Sequence, residues 1–307
     1  MQQRKHQVKN YFDMKSVNFT ILGEQSIAND FGKKGTSTDL TLYDRKESDV
    51  IRTWVVPNGF PEKIQPLFQS IYLSEYVIFY VASLDKFTGE QIIALDSLGK
   101  KNGILSHSYD VDETRLKTMI KGTVLEQYMK VDLPNLKDEI LKFPVIQKDG
   151  NPCIVIDHCF DVKGVGTVVL GKLVSGKINQ YDKLIHLPSK TEAMVKSIQM
   201  HDDDVKEAVS PARVGLSLKN VKPDAISRGD ILSTDDSIKI LDELVLDFKQ
   251  NQFYKKTISE NEMCLVSVGM QVKAGKFLSI SPVKLKLDKP IVILPCKIVN
   301  LSIYHVK

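Results

Sequence analysis

The order of apolar and polar residues divides the chain into a first part that mixes strands with helices and a second part built from strands. In the first part, short β-branched or aromatic runs predict strands at 17–22, 40–43, 51–56, 76–82 and 103–106. Helical spacing between them predicts helices at 61–73, 88–98 and 112–121. Apolar strands separated by helices indicate a mostly parallel sheet that is covered on both faces.

The pattern changes near Phe143. From there onward, short strands follow one another with Gly, Pro, Asn and Asp at the turns, which is typical of β-barrels. We therefore predict an α/β fold followed by an all-β part, and divide the chain into four segments. These are an N-terminal extension at 1–15, an α/β domain at 16–142, a first β-barrel at 143–235 and a second β-barrel at 236–307. Met14 precedes the first strand directly and is an alternative start of the chain.

The composition is typical of a globular protein and does not by itself indicate a function. Among the 307 residues, 26% are charged and 42% hydrophobic, as in an ordinary globular protein. The longest apolar run, 76–82, is far shorter than the ~20 residues that span a bilayer. Because the N-terminus also lacks an apolar signal segment, we expect a cytoplasmic protein with no membrane partner. The cysteines form no CxxC pair, so we expect reduced thiols and no metal site at Cys153, Cys159, Cys264 and Cys296.

One stretch is more informative than any other, namely DHCFDVKGVGTVVLGKLVSGKINQYD at 157–182. Apolar and polar residues alternate in it, and glycines fall where a barrel strand turns or approaches another backbone. Three further segments follow in order: VKSIQ at 195–199, RVGLSLKNV at 213–221 and RGDIL at 228–232. Together they resemble the second domain of elongation factor Tu and of SelB-type elongation factors. The resemblance implies a barrel that holds the aminoacyl end of a charged tRNA.

The front of the chain resembles the GTPase domain of the same factors. GTSTDL at 35–40 is similar to the first switch, with Ser37 where a magnesium-binding threonine normally stands. TGEQIIALD at 88–96 is similar to the helix after the fourth main strand. The whole arrangement most resembles a small archaeal group, the pyrrolysine-associated SelB-like factors, which have three domains. This implies a P-loop-type parallel sheet followed by two translation-factor β-barrels.

The phosphate-binding loop of that domain is incomplete. Such a loop needs GxxxxGK followed by Ser or Thr, because glycine N–H groups surround the phosphates, the lysine reaches them and the hydroxyl binds Mg²⁺. Here Gly23 is followed by EQSIA at 24–28, and about five residues that include the Gly-Lys pair are missing. Gly32-Lys33-Lys34 does not replace them, because Ile27, followed by Ala28, stands where the first glycine is required. Glu24 would also repel a triphosphate.

Two further nucleotide motifs are degenerate. The DxxGH motif falls on VPNGF at 56–60 and retains only Gly59, and the NKxD motif falls on HSYD at 107–110 and retains only Asp110. Losing the lysine, the metal-binding aspartate and the water-positioning histidine removes charge neutralisation, metal and water positioning together. We expect no catalytic residues and no cofactor. GTP and Mg²⁺ would be bound only if the vestigial nucleotide site still functions, at Gly23, Ser26, Ser37, Gly59 and Asp110.

The resemblance implies an aminoacyl-binding pocket at Asp157, His158 and Arg213. Asp157 is suited to pair with the α-ammonium of an esterified amino acid, and His158 or Arg213 to reach its carbonyl. We assign Lys163 and His201 to the same RNA-facing site. Adjacent strand residues point to opposite faces, so the alternative is that Asp157 or His158 is an ordinary polar group at the barrel rim. The acidic run after His201 is interpreted as a solvated turn rather than a metal site.

These observations favour a translation elongation factor paralogue without a working GTP switch. Its expected partner is the 3′ end and acceptor stem of tRNA, or a ribosomal RNA site, and not DNA. Two alternatives remain open: an active translational GTPase with an altered nucleotide loop, and an interaction scaffold that binds no RNA. Which RNA is bound, and whether it is aminoacylated, does not follow from the sequence.

Overall fold

The computed structural model describes residues 14–251, 253–295 and 302–305. Most of the predicted N-terminal extension and Cys296 lie outside these ranges. Within them, the chain forms three main sheets and a small two-stranded one. The predicted α/β part followed by an all-β part is confirmed.

The first sheet is the α/β part of the fold. Its strands are β1 (Lys15–Gly23), β2 (Lys33–Ser37), β3 (Thr41–Glu47), β4 (Val50–Val56), β5 (Tyr76–Val81), β6 (Gly103–His107) and β7 (Met129–Lys130). They are arranged in the order β2-β3-β4-β1-β5-β6-β7. The central strands are parallel, as predicted, whereas β3 runs antiparallel to both neighbours. Strand β2 is not predicted by the sequence pattern, because this edge strand is mostly exposed and lacks an apolar alternation.

Four α-helices accompany the first sheet: α1 (Gln65–Leu73), α2 (Lys86–Ser97), α3 (Glu113–Ile120) and α4 (Leu136–Leu141). Short 3-10 helices lie at Gln25–Asp30, Val124–Gln127, Leu133–Asn135 and Pro223–Ala225. α1 begins later than predicted, with Pro66 in its first turn, where a missing N–H costs nothing. α2 begins earlier because Asp85 caps it by accepting a 2.8 Å hydrogen bond from the Thr88 N–H.

Both faces of the first sheet are covered, as its apolar strands require. On one face Leu22 and Phe79 pack with residues of α1, α2 and α3. On the other face Phe19 and Trp54 pack with residues of α4. The sheet therefore has two apolar cores, which hold its strand ends in fixed positions.

The second main sheet is a closed barrel. Its segment of the chain contains β8 (Cys153–Val162), β9 (Gly166–Ser175), β10 (Lys177–Asn179), β11 (Lys183–Leu187), β12 (Thr191–Met200), β13 (Asp203–Val205), β14 (Glu207–Val209), β15 (Arg213–Lys219) and β16 (Ile231–Ser233). The order is β11-β16-β8-β9-β15-β12-β13, and a further pairing of β11 with β12 closes the ring. Ile154, Ile156, Val169 and Leu216 fill its interior. β10 and β14 form the separate two-stranded sheet.

The third main sheet is antiparallel. Its strands are β17 (Lys239–Leu246), β18 (Met263–Val268), β19 (Gln271–Ile280), β20 (Val283–Ile293) and β21 (Ser302–His305), in the order β17-β20-β19-β18-β21. Leu244, Val266, Phe277 and Leu285 form its core.

An apolar cluster joins the three parts. It contains Leu40 and Leu73 of the first part, Val155 and Ile231 of the barrel, and Met270 of the third part. Gly229 is one of the closest approaches: its φ is +90°, and a Cβ there would lie 2.7 Å from the Gln271 nitrogen. The parts are therefore packed against one another at a common junction. In the described part of the chain, no helix is both long and apolar enough to cross a membrane.

Candidate functional site

The three residues that the resemblance assigns to the aminoacyl pocket lie together in the barrel. Oδ1 of Asp157 accepts a hydrogen bond from Nη2 of Arg213 at 3.1 Å and lies 2.5 Å from Nδ1 of His158. The Asp157 side chain is 1% exposed, whereas those of His158 and Arg213 are 13% and 18% exposed. A buried carboxylate thus lies below two partly accessible basic groups.

The expectation that Asp157 and His158 point to opposite faces is wrong. Strand β8 pairs with β9 through a register shift between Ile156 and His158, which is the signature of a β-bulge. The extra residue interrupts the alternation of the strand, so that His158 can turn toward Asp157. The bulge therefore builds the pair of neighbouring side chains.

The carboxylate of Asp157 is held in its ionised form. Burial raises its pKa, but the charge of Arg213 and the hydrogen bond from His158 outweigh burial and hold the pKa below its usual range. Its second oxygen, Oδ2, is buried and has no hydrogen-bond partner among the residues that the structure describes. A buried, unpaired carboxylate oxygen is costly, so a hydrogen-bond donor or cation that reached this atom would be stabilised.

A third basic residue, Arg228, completes the site, and we refer to Asp157, His158, Arg213 and Arg228 as the Asp157 cluster. Nε of Arg228 donates to the backbone carbonyl of Asp157 at 3.1 Å. Nη1 of Arg228 lies 2.8 Å from each carboxylate oxygen of Asp39, a residue of the first part of the chain. Arg228 lies in the RGDIL segment, but its contact with Asp39 depends on the packing of two parts far apart in sequence.

The turn between β2 and β3 lies over this cluster. Oγ1 of Thr38 is 3.4 Å from Nε2 of His158 and 3.4 Å from Nη2 of Arg228. Burial raises the pKa of Asp39. The hydrogen bond and the charge of Arg228 together outweigh burial, so the pKa of Asp39 lies below its ordinary value. Asp39 and Arg228 therefore form a charged pair across the boundary between the first part and the barrel.

Lys163 and His201 do not belong to this cluster in the structure. Lys163 is exposed in the turn between β8 and β9. His201, at φ +48°, lies in the turn between β12 and β13, and its Nδ1 is 3.2 Å from Oδ1 of Asp44. Nearby, Lys46 and Asp203 form a second ion pair between the first part and the barrel, at 2.6 Å. His201 is thus engaged at that boundary.

The five residues of the vestigial nucleotide site lie at or after the ends of strands on one edge of the first sheet. Ser26 lies in the 3-10 helix that follows β1. Gly23 ends β1, Ser37 ends β2, and Gly59 and Asp110 follow β4 and β6. Strand ends of this kind bind ligands in α/β proteins. Asp110 is exposed, Oγ of Ser37 lies 3.1 Å from Oγ1 of Thr41, and the Gly59 N–H donates to the Asp39 carbonyl at 2.8 Å.

Protein groups occupy the N–H donors of the shortened loop. The Gly23 N–H donates to Oε1 of Gln91 at 2.7 Å, and the Glu24 N–H to the carbonyl of Tyr80 at 2.9 Å. The Ser26 N–H donates to Oε1 of Glu24 at 3.0 Å, so that a carboxylate of the chain itself lies at the start of the 3-10 helix. At the DxxGH position, Val56 and Phe60 are buried apolar side chains.

A further charged cluster joins the opposite edge of the first sheet to the barrel. Lys172 of β9 pairs with Glu75 and donates to the Leu73 carbonyl at 2.7 Å. Nζ of Lys100 donates to the carbonyl of Ser74. Burial, followed by the charge of Lys172, lowers the pKa of Lys100 to about 7. Within the described ranges, no three His, Cys, Asp or Glu side chains are grouped in a way that could hold a metal ion.

Comparison with known proteins shows which proteins this chain is similar to. The family model for elongation factor Tu domain 2 matches residues 166–233. The uncharacterized protein MJ0325 of Methanocaldococcus jannaschii is 36% identical over 268 residues, which cover 86% of each chain. The selenocysteine-specific elongation factor of the same organism is 29% identical over 60% of this chain and 44% of its own length.

Solved structures show the same fold. The elongation factor SelB of Methanococcus maripaludis, in complex with a GTP analogue, superposes with a TM-score of 0.77 over 92% of this chain and 74% of SelB, at 20% identity. Its apo form gives a TM-score of 0.74 over the same shares of both chains, also at 20% identity. The chain therefore belongs to one family with MJ0325, and it is similar to SelB- and elongation-factor-Tu-like translation factors.

Proposed function

We propose that this protein is a translation-factor paralogue that binds the 3′ end and acceptor stem of tRNA, or a ribosomal RNA site, without a working GTP switch. The observation that carries the proposal is the buried Oδ2 of Asp157, which lacks a partner among the described residues and lies beside Arg213 and His158. The names of its relatives, elongation factors, support the same class of ligand. We also propose that segments 16–142, 143–235 and 236–307 are its domains and that the protein is cytoplasmic.

The chemistry of the cluster suits an aminoacyl ester. Its α-ammonium would donate to Oδ2 of Asp157, the group that needs a donor. Its carbonyl would accept from Arg213 or His158, whose side chains are partly accessible. Uncharged tRNA has no ammonium to offer, so the site would distinguish charged from uncharged tRNA.

The state of the nucleotide loop supports the absence of a GTP switch. The N–H groups of Gly23, Glu24 and Ser26 are bonded to protein oxygens, and phosphates would have to displace all three acceptors. Neither Val56 nor Phe60 can bind a metal or position water. Without hydrolysis to drive release, the protein would act as a holder, carrier or regulator of its RNA.

A filter-binding titration tests the RNA proposal. Charged and uncharged tRNA are titrated at two salt concentrations, because phosphate contacts weaken as salt rises. We expect saturable binding that is tighter for charged tRNA. Absence of saturable binding to either form, and to ribosomes, would contradict the proposal and favour an interaction scaffold.

Calorimetric titration with a GTP analogue and Mg²⁺ tests the nucleotide part separately. We expect no binding in the micromolar range. A Kd tighter than about 10 μM would instead support an active translational GTPase with an altered loop.

A further inference from the structure

The Asp157 cluster is covered by a turn that its own arginine holds in place. Thr38 and Asp39, in the turn between β2 and β3, are here called the lid. The lid belongs to the first part of the chain, whereas the cluster belongs to the barrel, more than one hundred residues later. The lid and the cluster therefore meet through contacts between the first part and the barrel, which also share the apolar cluster at Leu40.

Arg228 is bonded to both sides of this boundary. Its Nε is bonded to the backbone of Asp157 at 3.1 Å, and its Nη1 lies 2.8 Å from both carboxylate oxygens of Asp39. The guanidinium thus connects the floor of the site with the lid. Charge-assisted hydrogen bonds of this kind are among the strong side-chain interactions in proteins.

The lid also occupies the accessible side of the cluster. Thr38 places its hydroxyl 3.4 Å from Nε2 of His158, whose Nδ1 is already engaged by Asp157. The carboxylate of Asp39 pairs with Arg228. Without this carboxylate, Arg228 would attract an anionic or carbonyl group of a ligand. A ligand that binds Nε2 of His158 and Nη1 of Arg228 must therefore displace both side chains.

We propose that the Asp39–Arg228 pair is a latch that keeps the lid closed over the Asp157 cluster, and that an RNA 3′ end opens it by competing for Arg228. The turn lies within residues 35–40, the segment whose sequence resembles the first switch. The backbone of the turn is held by the Gly59 N–H, which donates to the Asp39 carbonyl at 2.8 Å, and by the buried Leu40. The latch therefore acts on the Thr38 and Asp39 side chains. The inference rests on the proposed function only for the identity of the ligand.

Chemical labelling of His158 tests the latch without any RNA. Diethyl pyrocarbonate acylates accessible imidazoles, and peptide mass spectrometry reports each histidine separately. In Asp39→Ala we expect His158 to react about fivefold faster than in the wild type, the factor that corresponds to roughly 1 kcal/mol. His186, which is fully buried, serves as the unreactive internal reference.

The matched control is Asp203→Ala. It removes the Lys46–Asp203 ion pair, which joins the same two parts away from the lid, and should leave the His158 rate unchanged. Arg228→Lys is the second variant, since lysine keeps the charge but cannot bond both oxygens of Asp39. Equal His158 rates in the wild type, Asp39→Ala and Arg228→Lys, or an equal increase in Asp203→Ala, would overturn the latch.

Binding of charged tRNA completes the test. If the latch competes with RNA, Asp39→Ala binds charged tRNA about fivefold more tightly than the wild type, the counterpart of the labelling effect. Faster labelling without any tRNA binding would confirm the lid and refute the proposed ligand. Binding by the wild type with no change in either assay would refute the latch and leave the proposed function intact.

Discussion

Gln91 of α2 accepts a hydrogen bond from the backbone N–H of Gly23, at the end of β1, across 2.7 Å. The side chain is buried, and it fixes the first N–H group of the turn where a phosphate-binding loop would begin. Gly23 also approaches β5 so closely that a Cβ would lie 2.0 Å from the carbonyl oxygen of Tyr80. The turn is thus fastened from two sides by the protein itself.

Gly23→Ala tests how tightly this turn is packed. The substitution places a side chain against a backbone carbonyl at φ +77°, and we expect it to lower the free energy of unfolding by about 2–4 kcal/mol. Thermal or urea unfolding measures the change. Gly89→Ala is the control: Gly89 lies in α2 with open space around its Cβ position, so alanine there should stabilise by about 0.5–1 kcal/mol. Similar effects at both sites would contradict the close packing of Gly23.

Lys100 should make the stability of the folded protein depend on pH. Its pKa is about 7 in the folded protein, against 10.5 when exposed, so the unfolded state binds more protons between these values. The contribution of Lys100 to stability therefore rises as pH increases from 7 to 10.5.

Lys100→Met removes this contribution. We expect the variant to gain stability relative to the wild type at pH 7 and below, and this advantage to shrink as pH approaches 10.5. Melting temperatures across this range provide the measurement. Lys101→Met, at an exposed neighbouring position, should follow the wild-type pH profile in parallel. Parallel profiles for Lys100→Met would show that its ammonium is not buried.

The buried pair of His186 and Asp230 should be a stability determinant of the barrel. Nε2 of His186 lies 3.0 Å from Oδ2 of Asp230, which also accepts from the Ser227 N–H at 2.7 Å. Asp230→Ala leaves both partners without an acceptor, and we expect a loss of about 2–4 kcal/mol in unfolding experiments. Asp161→Ala, at an exposed position, should change stability by less than about 0.5 kcal/mol.

Asp157→Asn tests the proposed recognition of the aminoacyl group. Removing the negative charge should reduce the preference for charged over uncharged tRNA by about tenfold or more, the value of one hydrogen bond to a charged group. Binding of uncharged tRNA should change little, because its phosphate contacts remain. Asp161→Asn, on the same strand but exposed, should keep the preference. An unchanged preference in Asp157→Asn would exclude Asp157 as the partner of the ammonium.

Much of the architecture could be predicted from local pattern. The period of the apolar residues gave the parallel sheet and its helices, and the glycine-punctuated strands after Phe143 gave the all-β part. Edge strand β2 was missed since exposed edge residues need no apolar alternation. The first residue of α1 was placed too early because nothing local distinguishes Pro61 from Pro66 as the start of the helix.

Only part of the candidate site could be predicted from the sequence. Asp157, His158 and Arg213 could be selected by their resemblance to known factors, but their neighbourhood could not. The bulge between Ile156 and His158 depends on how β8 pairs with β9, so strand alternation predicted the wrong orientation for His158. Arg228 was present in a recognised segment, yet its partner Asp39 is 189 residues away.

The sequence by itself determined which elements form and which nucleotide-binding residues are missing, because both depend on residue type and short-range spacing. Only the tertiary structure decided which groups occupy the emptied loop and what covers the Asp157 cluster. Such contacts arise where parts that are distant in sequence pack together. Their energy comes from pairs of atoms, such as Arg228 with Asp39, whose separation along the chain leaves no local signal.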